Sequence, residues 1–158
     1  MADVPYAPHV RLYAARRAAG PTRSSIHVFP NDVVATVELG AGRWGGWGEV
    51  PPEWTWALVC APAAGSGALL TMDPAEATAL LWSKARQIEP RLFDLSSADV
   101  VHLIRWEHAV PVVGPGYYRR LWALRNEPPV TFAGDWLVQP CVEGAVRSGE
   151  AAAAALLS

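Results

Sequence analysis

Five short strand-like runs come before the first clear helix of this 158-residue chain, and this order constrains its fold more than any other feature. Most of the runs are rich in β-branched or aromatic residues, as strands are. They cover residues 9–17, 24–30, 32–40, 54–62 and 67–72. After them, helices come singly between later strands. This order predicts an α+β fold with a mixed, mostly antiparallel sheet and helices on one side, and it disfavours a doubly wound parallel sheet.

The clearest helix lies within DPAEATALLWSKARQIEP, residues 73–90. Asp73 is a good N-cap, Pro74 suits the first turn, and Glu76 follows Asp73 at the spacing of a capping box. Apolar side chains then recur at helical spacing until Pro90 ends the helix. Farther along, the sequence predicts a strand over 99–111, a turn and short helix within 114–126, a strand over 129–135 and a final helix over 142–157.

Composition excludes several classes of function. The net charge is −2, and the sequence lacks the basic stripe that neutralises the phosphates of a nucleic acid. No window holds the roughly 18 apolar residues of a membrane helix, and the first residues do not resemble a signal peptide. Cys60 and Cys141 stand apart, and the four histidines do not fall at metal-ligand spacing. We therefore expect no metal site and a reducing, cytoplasmic environment.

One glycine-rich run imitates a dinucleotide-binding fingerprint. Gly40, Gly42 and Gly45 have the G-x-G-x-x-G spacing and follow a predicted strand. The helix that must come next is missing, because Pro51 and Pro52 lie where its interior would be. We therefore interpret residues 41–53 as a loop and expect this chain to lack a Rossmann unit of its own.

The C-terminal segment has the residues of a half-site for an electronegative ligand. Gly134 lets a ligand approach the backbone, and the Asp135 carboxylate suits a sugar-type hydroxyl. The final helix begins near Val142, and its first free N–H groups carry the positive end of the helix dipole. Gly144 and Ala145 keep that end uncrowded. The same residues are equally consistent with an alanine-rich terminal helix whose role is structural.

This helix also carries an apolar stripe and a charged pair. The stripe consists of Val142, Ala145, Val146, Gly149, Ala153 and Leu156. Glu143 and Arg147 are spaced as an i,i+4 ion pair on another face. The small residues Ala145, Gly149 and Ala152 predict close packing against a sheet or a second helix.

The segment FAGDWLVQPCVEGAVRSGEAAA, residues 132–153, resembles the closing motif of the flavin-containing amine oxidase superfamily, which includes protoporphyrinogen oxidases and carotenoid desaturases. The matching positions are Ala133, Gly134, Asp135, Pro140, Glu143, Gly144, Ala145, Ser148 and Gly149. A second segment of these families is matched by Trp106, Ala109, Pro111, Pro115 and Gly116. The resemblance is specific from Trp106 onward and loose before it.

The resemblance implies a division of the chain and a cofactor site. Residues 1–126 would form a substrate-type domain, and residues 127–158 the closing strand and helix of an FAD-binding domain. Gly134 and Asp135 would lie near the ribityl chain and pyrophosphate of FAD. The backbone of Val142 and Glu143 would donate hydrogen bonds to the flavin ring. Ala145 belongs to the same set of cofactor-binding residues.

The resemblance also implies a substrate-binding wall at Trp106. His102 and His108 share its strand face, because alternate residues of a strand point to the same side. One of the two histidines could act as a base or bind a polar group of a substrate, but the favoured interpretation of each is an exposed or hydrogen-bonded residue of no special role. The sequence identifies no catalytic side chain, and flavin oxidations need few, since the cofactor carries the chemistry.

The dinucleotide-binding half of these families is missing from this sequence, which leaves two functional hypotheses beside a third, that the chain is a non-functional remnant or a domain cut from a longer chain. In the first, the chain is the substrate-domain subunit of a split FAD-dependent oxidoreductase, and a separate Rossmann-type chain completes the site. The reaction would be dehydrogenation of a C–N or C–C bond in a largely apolar small molecule. In the second, the chain is a truncated relative that has lost FAD. It would act as a homodimeric small-molecule binding module or cofactor-independent isomerase or cyclase.

Overall fold

The structure, a computed structural model, describes residues 4–20, 24–29, 33–42, 53–124, 131–139 and 141–157. The chain forms two compact units. The sheet unit consists of Pro8–Glu107, and the C-terminal unit consists of Met1–Ala7 together with His108–Ser158. The predicted domain boundary between residues 126 and 127 lies outside the described residues and stays a prediction.

Five strands form one open sheet in the order β2-β3-β4-β1-β5. The strands are β1 (Tyr6–Arg17), β2 (Ser25–Val28), β3 (Thr36–Ala41), β4 (Trp54–Cys60) and β5 (Val100–Pro111). The pairings of β2 with β3, β3 with β4 and β4 with β1 are all antiparallel. At one end of β5, the Asp99 N–H donates to the Ala15 carbonyl, and at the other the Val112 N–H donates to the Pro5 carbonyl. These two bonds mean that β5 runs opposite to β1, and the predicted α+β class is confirmed.

Two helices, α1 (Ala63–Thr71) and α2 (Pro74–Ile88), cover one face of the sheet and build the core of the sheet unit. Alternate strand residues point toward the helices because side chains switch faces at each step of a strand. The buried sheet positions include Val10, Leu12, Ala14, Val37, Leu39, Ala57 and Val59, and they pack with Leu69, Ala77, Leu81, Trp82 and Ala85 of the helices. After α2, a short 3-10 turn at Leu95–Ser97 leads into β5.

Local sequence sets the beginning of α2 as predicted. Asp73 accepts hydrogen bonds from the backbone N–H groups of Ala75 at 2.8 Å and Glu76 at 3.2 Å. These bonds satisfy amides that have no partner inside a helix. Pro74 occupies the first helical position, where its missing N–H costs nothing. The predicted cap and helix are therefore confirmed.

The C-terminal unit contains α3 (Tyr117–Leu124), a 3-10 turn at Asp135–Leu137 and α4 (Val142–Leu157). Its small core is formed by Tyr117, Leu121 and Leu137, with Val4, Phe132 and Trp136 packed against them. The predicted helix over 142–157 and the short helix after the turn at 114–116 are both confirmed.

Two predicted strands are wrong. Residues 67–71 belong to α1 and Met72 is its C-cap, because alanine and leucine favour a helix and Leu69 reaches the core from that helix. In the predicted strand over 129–135, the described residues 131–133 are not in a strand. The backbone of Gly134 bonds to the Ser148 side chain instead of to a neighbouring strand. The predicted glycine loop falls mostly on residues 43–52, which lie outside the described residues.

Candidate functional site

A segment running from Thr131 to Gln139 lies along α4, held by one serine. The Gly134 N–H donates to the Ser148 Oγ at 2.8 Å. The same hydroxyl lies 2.9 Å from the carbonyl oxygens of Gly134 and Ala145 and can donate its proton to either one. Because Gly134 meets Ser148 while Gln139 meets Gly144, the segment runs antiparallel to the helix.

Two glycines of the predicted cofactor motif are required by packing inside the chain. A Cβ on Gly144 would lie 2.0 Å from the carbonyl oxygen of Gln139. A Cβ on Gly134 would lie 2.2 Å from Nε1 of Trp136. Both distances are far shorter than any real carbon contact. At Gly144 the obstructing atoms belong to the main chain, so no larger residue fits there. At Gly134 the Trp136 side chain would have to shift, and the backbone φ of 157° also disfavours a side chain. Their presence is thus explained without a ligand, and the roles predicted for Gly134 and Asp135 in cofactor binding stay predictions.

The start of α4 is open to solvent. Val142 is 81% exposed, and the exposed Glu143 pairs with Arg147 at 2.7 Å, as the i,i+4 spacing predicts. Among the described residues, none accepts a hydrogen bond from the backbone N–H of Val142 or Glu143. The Ala145 N–H, in contrast, donates to the Cys141 carbonyl within the helix. The amides of Val142 and Glu143 are therefore the ones that remain able to bind an electronegative group.

The cavity beside this helix is small. It has a volume of about 130 Å³ and is lined by residues 131–132 and 137–138 and by Ser148, Ala151, Ala152 and Ala155 of the helix. Pockets that enclose a drug-sized ligand hold roughly 300–1,000 Å³. The cavity is therefore too small to enclose a drug-sized ligand by itself.

A buried tyrosine adds an unused polar group to this unit. The hydroxyl of Tyr117 is buried, and no described residue hydrogen-bonds to it. Burial raises the pKa of Tyr117, and the nearby Tyr6, Tyr118 and Asp135 act in the same direction. Burial and then the Asp135 charge likewise raise the pKa of Tyr6. Both phenols therefore remain protonated donors, and an unpaired buried donor is the kind of group that a ligand satisfies.

The predicted apolar stripe of α4 is not the face that packs within this chain. Gly144 and Ser148 are the buried residues of the helix, whereas Val142, Val146 and Leu156 are 81%, 51% and 67% exposed. A Cβ on Gly149 would meet nothing within 4 Å. Close packing at Gly149 does not occur among the described residues, because the 131–139 segment contacts the helix on the side of Gly144 and Ser148, and packing against another chain stays a prediction.

The predicted substrate residues have different neighbours. Trp106 stacks on His9 with ring centroids 6.1 Å apart, and the Arg11 guanidinium lies 5.6 Å from the Trp106 ring centre. His108 meets the edge of Tyr6 at 6.4 Å, and His102 is exposed. The substrate-binding roles of Trp106, His102 and His108 therefore stay predictions, and only Trp106 joins a cluster of polar side chains within the sheet unit.

His9 and Arg11 were missed by the sequence reasoning. They alternate on one face of β1, and this period-two pattern was the available signal. Arg11 Nε donates to His9 Nε2 at 2.9 Å, so this nitrogen must be an unprotonated acceptor. Burial lowers the pKa of His9, and the Arg11 charge lowers it further. The geometry and the pKa therefore both favour neutral His9.

The described part of the chain contains no group of three or more histidine, cysteine, aspartate or glutamate side chains that could hold a metal ion. No helix in the same ranges combines the length and apolar character needed to cross a membrane.

Replacing Ser148 by alanine should destabilise the C-terminal unit by about 1–2 kcal/mol, because the part-buried Gly134 N–H and carbonyl lose their side-chain partner. Urea unfolding followed by circular dichroism measures the change. Ser83→Ala, at an exposed position of α2, is the control and should alter the free energy of unfolding by less than about 0.5 kcal/mol. Equal stabilities for the two variants would show that the Ser148 bonds contribute nothing.

Comparison with protein families gives a match over most of the chain. The family model described as flavin containing amine oxidoreductase matches residues 57–157. A search of curated proteins found no match.

Solved structures also match this chain. One is the crystal structure of a provisionally assigned protoporphyrinogen oxidase from Exiguobacterium sp. 255-15, with a TM-score of 0.72 and 12% sequence identity. The match covers 98% of this chain and 36% of that protein, so this chain spans little more than a third of its length. At this identity the likeness establishes the fold.

Proposed function

The chain belongs to the flavin containing amine oxidoreductase family, and we propose that it supplies the substrate-type domain and one edge of the flavin site of an FAD-dependent oxidoreductase. The observation that carries the proposal is the open start of α4, where the amides of Val142 and Glu143 have no acceptor among the described residues. Residues 1–126 would form the substrate-type domain, and residues 127–158 would complete the FAD-binding domain.

We propose that a separate Rossmann-type dinucleotide-binding chain supplies the rest of the site. The cavity of about 130 Å³ is too small for a flavin nucleotide, so a second polypeptide segment must enclose most of it. The exposed apolar stripe of α4 supports such a partner, since Val142, Val146 and Leu156 are left in water without it. The two cysteines are free, which suits the reducing cytoplasm that we propose as its location.

Each proposed contact has a chemical role. The amides of Val142 and Glu143, at the positive end of the α4 dipole, would donate to an electronegative edge of the flavin ring. The Asp135 carboxylate would accept a hydrogen bond from a ribityl hydroxyl. Gly134 lies opposite Ser148, which comes six residues after Val142 in α4. The backbone of Gly134 and the amide of Val142 are therefore separated by about 9 Å along the helix, a distance that an extended cofactor can span.

When bound, FAD would accept the hydride removed from a C–N or C–C bond of a largely apolar substrate. Residues of this chain would position that substrate and exclude water from it. Trp106 is the proposed wall of the substrate site, because it is 38% exposed and its ring is fixed by His9 and Arg11. His102 and His108 remain proposed polar contacts for the substrate.

A second candidate function is favoured by the Trp106 cluster of the sheet unit. The sheet unit holds its Trp106 cluster without any contribution from a flavin. An FAD-free, homodimeric binding module, or a cofactor-independent isomerase or cyclase, would use this cluster alone. Its distinguishing property would be small-molecule binding by this chain in the absence of any flavin-binding partner.

Mixing the chain with the product of a neighbouring reading frame and FAD tests the first proposal. A stable complex with flavin absorbance after gel filtration is the expected result, and a colourless mixture contradicts it. Val142→Pro then tests the amide contact, because proline at the first helical position removes an N–H without breaking the helix. FAD binding by the complex should weaken about tenfold, the value of one hydrogen bond to a polar acceptor.

Val142→Ala is the matched control, since it also removes the valine side chain but keeps the N–H. We expect this variant to bind FAD like the wild type. If both variants weaken binding equally, the side chain matters and the amide does not. Circular dichroism of both variants confirms that α4 is intact.

A further inference from the structure

An arginine on the sheet is held in place without a counter-ion. Arg11 is half-buried on the face of β1 that points away from α1 and α2. Its Nε donates to neutral His9 at 2.9 Å, and the Trp106 ring lies 5.6 Å from the guanidinium carbon. The bond and the stacking fix the plane of the guanidinium, yet neither neutralises its charge.

Three of the other arginines in the described ranges are paired with carboxylates, whereas Arg16 and Arg105, like Arg11, form no ion pair there. Arg17 pairs with Glu53, Arg91 with Glu89, and Arg147 with Glu143. No described carboxylate forms an ion pair with Arg11, and no described residue accepts a hydrogen bond from its two terminal nitrogens. The two terminal nitrogens, Nη1 and Nη2, therefore form a fork that matches the two oxygens of a carboxylate.

The surroundings of Arg11 favour a ligand that carries a single negative charge. In the sheet register, Arg11 lies beside Cys60, which lies beside Thr36, on the same face. Burial raises the pKa of Cys60 and outweighs the hydrogen bond to Thr36 and the charge of Arg11, which both lower it; the charge of Glu38 raises it further. The thiol is therefore a neutral neighbour. The Glu38 charge nearby would repel a ligand with several negative charges.

We propose that Arg11 binds the carboxylate of a small-molecule monocarboxylate whose apolar part packs beside Trp106. The inference rests on the proposed function only in treating this molecule as a substrate. The site itself consists of His9, Arg11 and Trp106 and needs no flavin, partner chain or second unit.

Binding of phenylacetate to the full chain, without FAD or partner, tests this proposal. We expect phenylacetate to bind about tenfold more tightly than its uncharged isostere phenylacetamide in an NMR titration. The Arg11→Gln variant should lose this preference. Arg147→Gln, which removes an exposed arginine of α4, should keep it, so that an effect of net charge alone is separated from binding at Arg11.

A direct readout in the wild type makes the test independent of variant stability. The imidazole signals of His9 should shift on addition of phenylacetate and stay in place with phenylacetamide, because His9 contacts the binding guanidinium. Equal affinities for acid and amide, an unmoved His9 signal, or a preference that survives in Arg11→Gln would overturn the proposal. The flavin assay tests the C-terminal unit by absorbance, whereas this assay tests the sheet unit by NMR. The proposed carboxylate site and the proposed flavin site can therefore fail independently.

Discussion

Replacing Gly144 by alanine is expected to destabilise the C-terminal unit by about 3 kcal/mol, at the upper end of the usual range for overpacking. The added Cβ would lie 2.0 Å from the carbonyl oxygen of Gln139 and 2.9 Å from two further backbone atoms of that residue. Main-chain atoms cannot rotate aside as the tip of a flexible side chain can. The 131–139 segment must therefore separate from α4, and the hydrogen bonds of Ser148 to Gly134 are then lost as well.

Hydrogen exchange of the peptides covering α4, together with urea unfolding, measures this effect. Gly149→Ala is a matched control on the same helix, because its new methyl group would meet nothing within 4 Å. Alanine is the better helix former, so this variant should gain about 0.5–1 kcal/mol. If the two alanine variants have the same stability, the contact between Gly144 and Gln139 does not constrain the unit.

The residues where the 131–139 segment meets α4 show how much of the site the sequence could reveal. The family resemblance of the C-terminal motif is confirmed by the family match over residues 57–157. Gly134, Gly144 and Ser148 were recognised as members of a pattern. The reason for each was out of reach, because it depends on the path of residues 131–139 over α4, and no local propensity specifies that path.

The fold was predictable where local signals are strong. Asp73 and Pro74 define the start of α2 by backbone chemistry alone, and β5 is a long run of strand-forming residues. The strand predicted over residues 67–72 was wrong because a short apolar run fits a strand and a buried helix equally well. Only the packing of Leu69 in the core separates the two, and that packing is a tertiary property.

The cluster of His9, Arg11 and Trp106 was not predicted from the sequence for a different reason. His9 and Arg11 are visible in the sequence as alternate residues of one strand. Trp106, however, is almost a hundred residues away, and the sheet order that brings β5 beside β1 is not encoded in any short motif. The contacts of the Arg11 guanidinium with His9 and Trp106 on this sheet face therefore become apparent only when the strand pairing is known.

The second large effect concerns Glu89, a buried carboxylate that ties the edge strand β2 to the end of α2. Glu89 is only 2% exposed. It accepts hydrogen bonds from the Ser25 hydroxyl at 2.8 Å and from Arg91 Nε at 2.9 Å, and it lies 3.0 Å from His27 Nε2. Since β2 pairs in the sheet with β3, these side-chain bonds give it a further attachment, to the end of α2.

Glu89→Gln should destabilise the sheet unit by about 3 kcal/mol, the lower end of the range for breaking a buried ion pair, because the Arg91 side chain is half exposed and can be hydrated. Urea unfolding measures the loss. Glu150→Gln, at an exposed position of α4, is the control and should be close to neutral. A Glu89 variant within about 1 kcal/mol of the wild type would mean that the buried carboxylate is no more stabilising than an amide.

The pH dependence gives this prediction a second, independent signature. The Arg91 guanidinium holds the pKa of Glu89 far below its ordinary value of 4.5 and outweighs burial, which raises it; Ser25 and His27 act in the same direction as Arg91. A carboxylate with a depressed folded-state pKa stabilises the protein fully above its unfolded-state pKa and progressively less below it. The stability difference between wild type and Glu89→Gln should therefore be constant near neutral pH and shrink as the pH falls below about 4.5. Because the Asp94 carboxylate titrates in both proteins, its contribution cancels in this difference, and a gap that stayed constant down to strongly acidic pH would contradict the role assigned to Glu89.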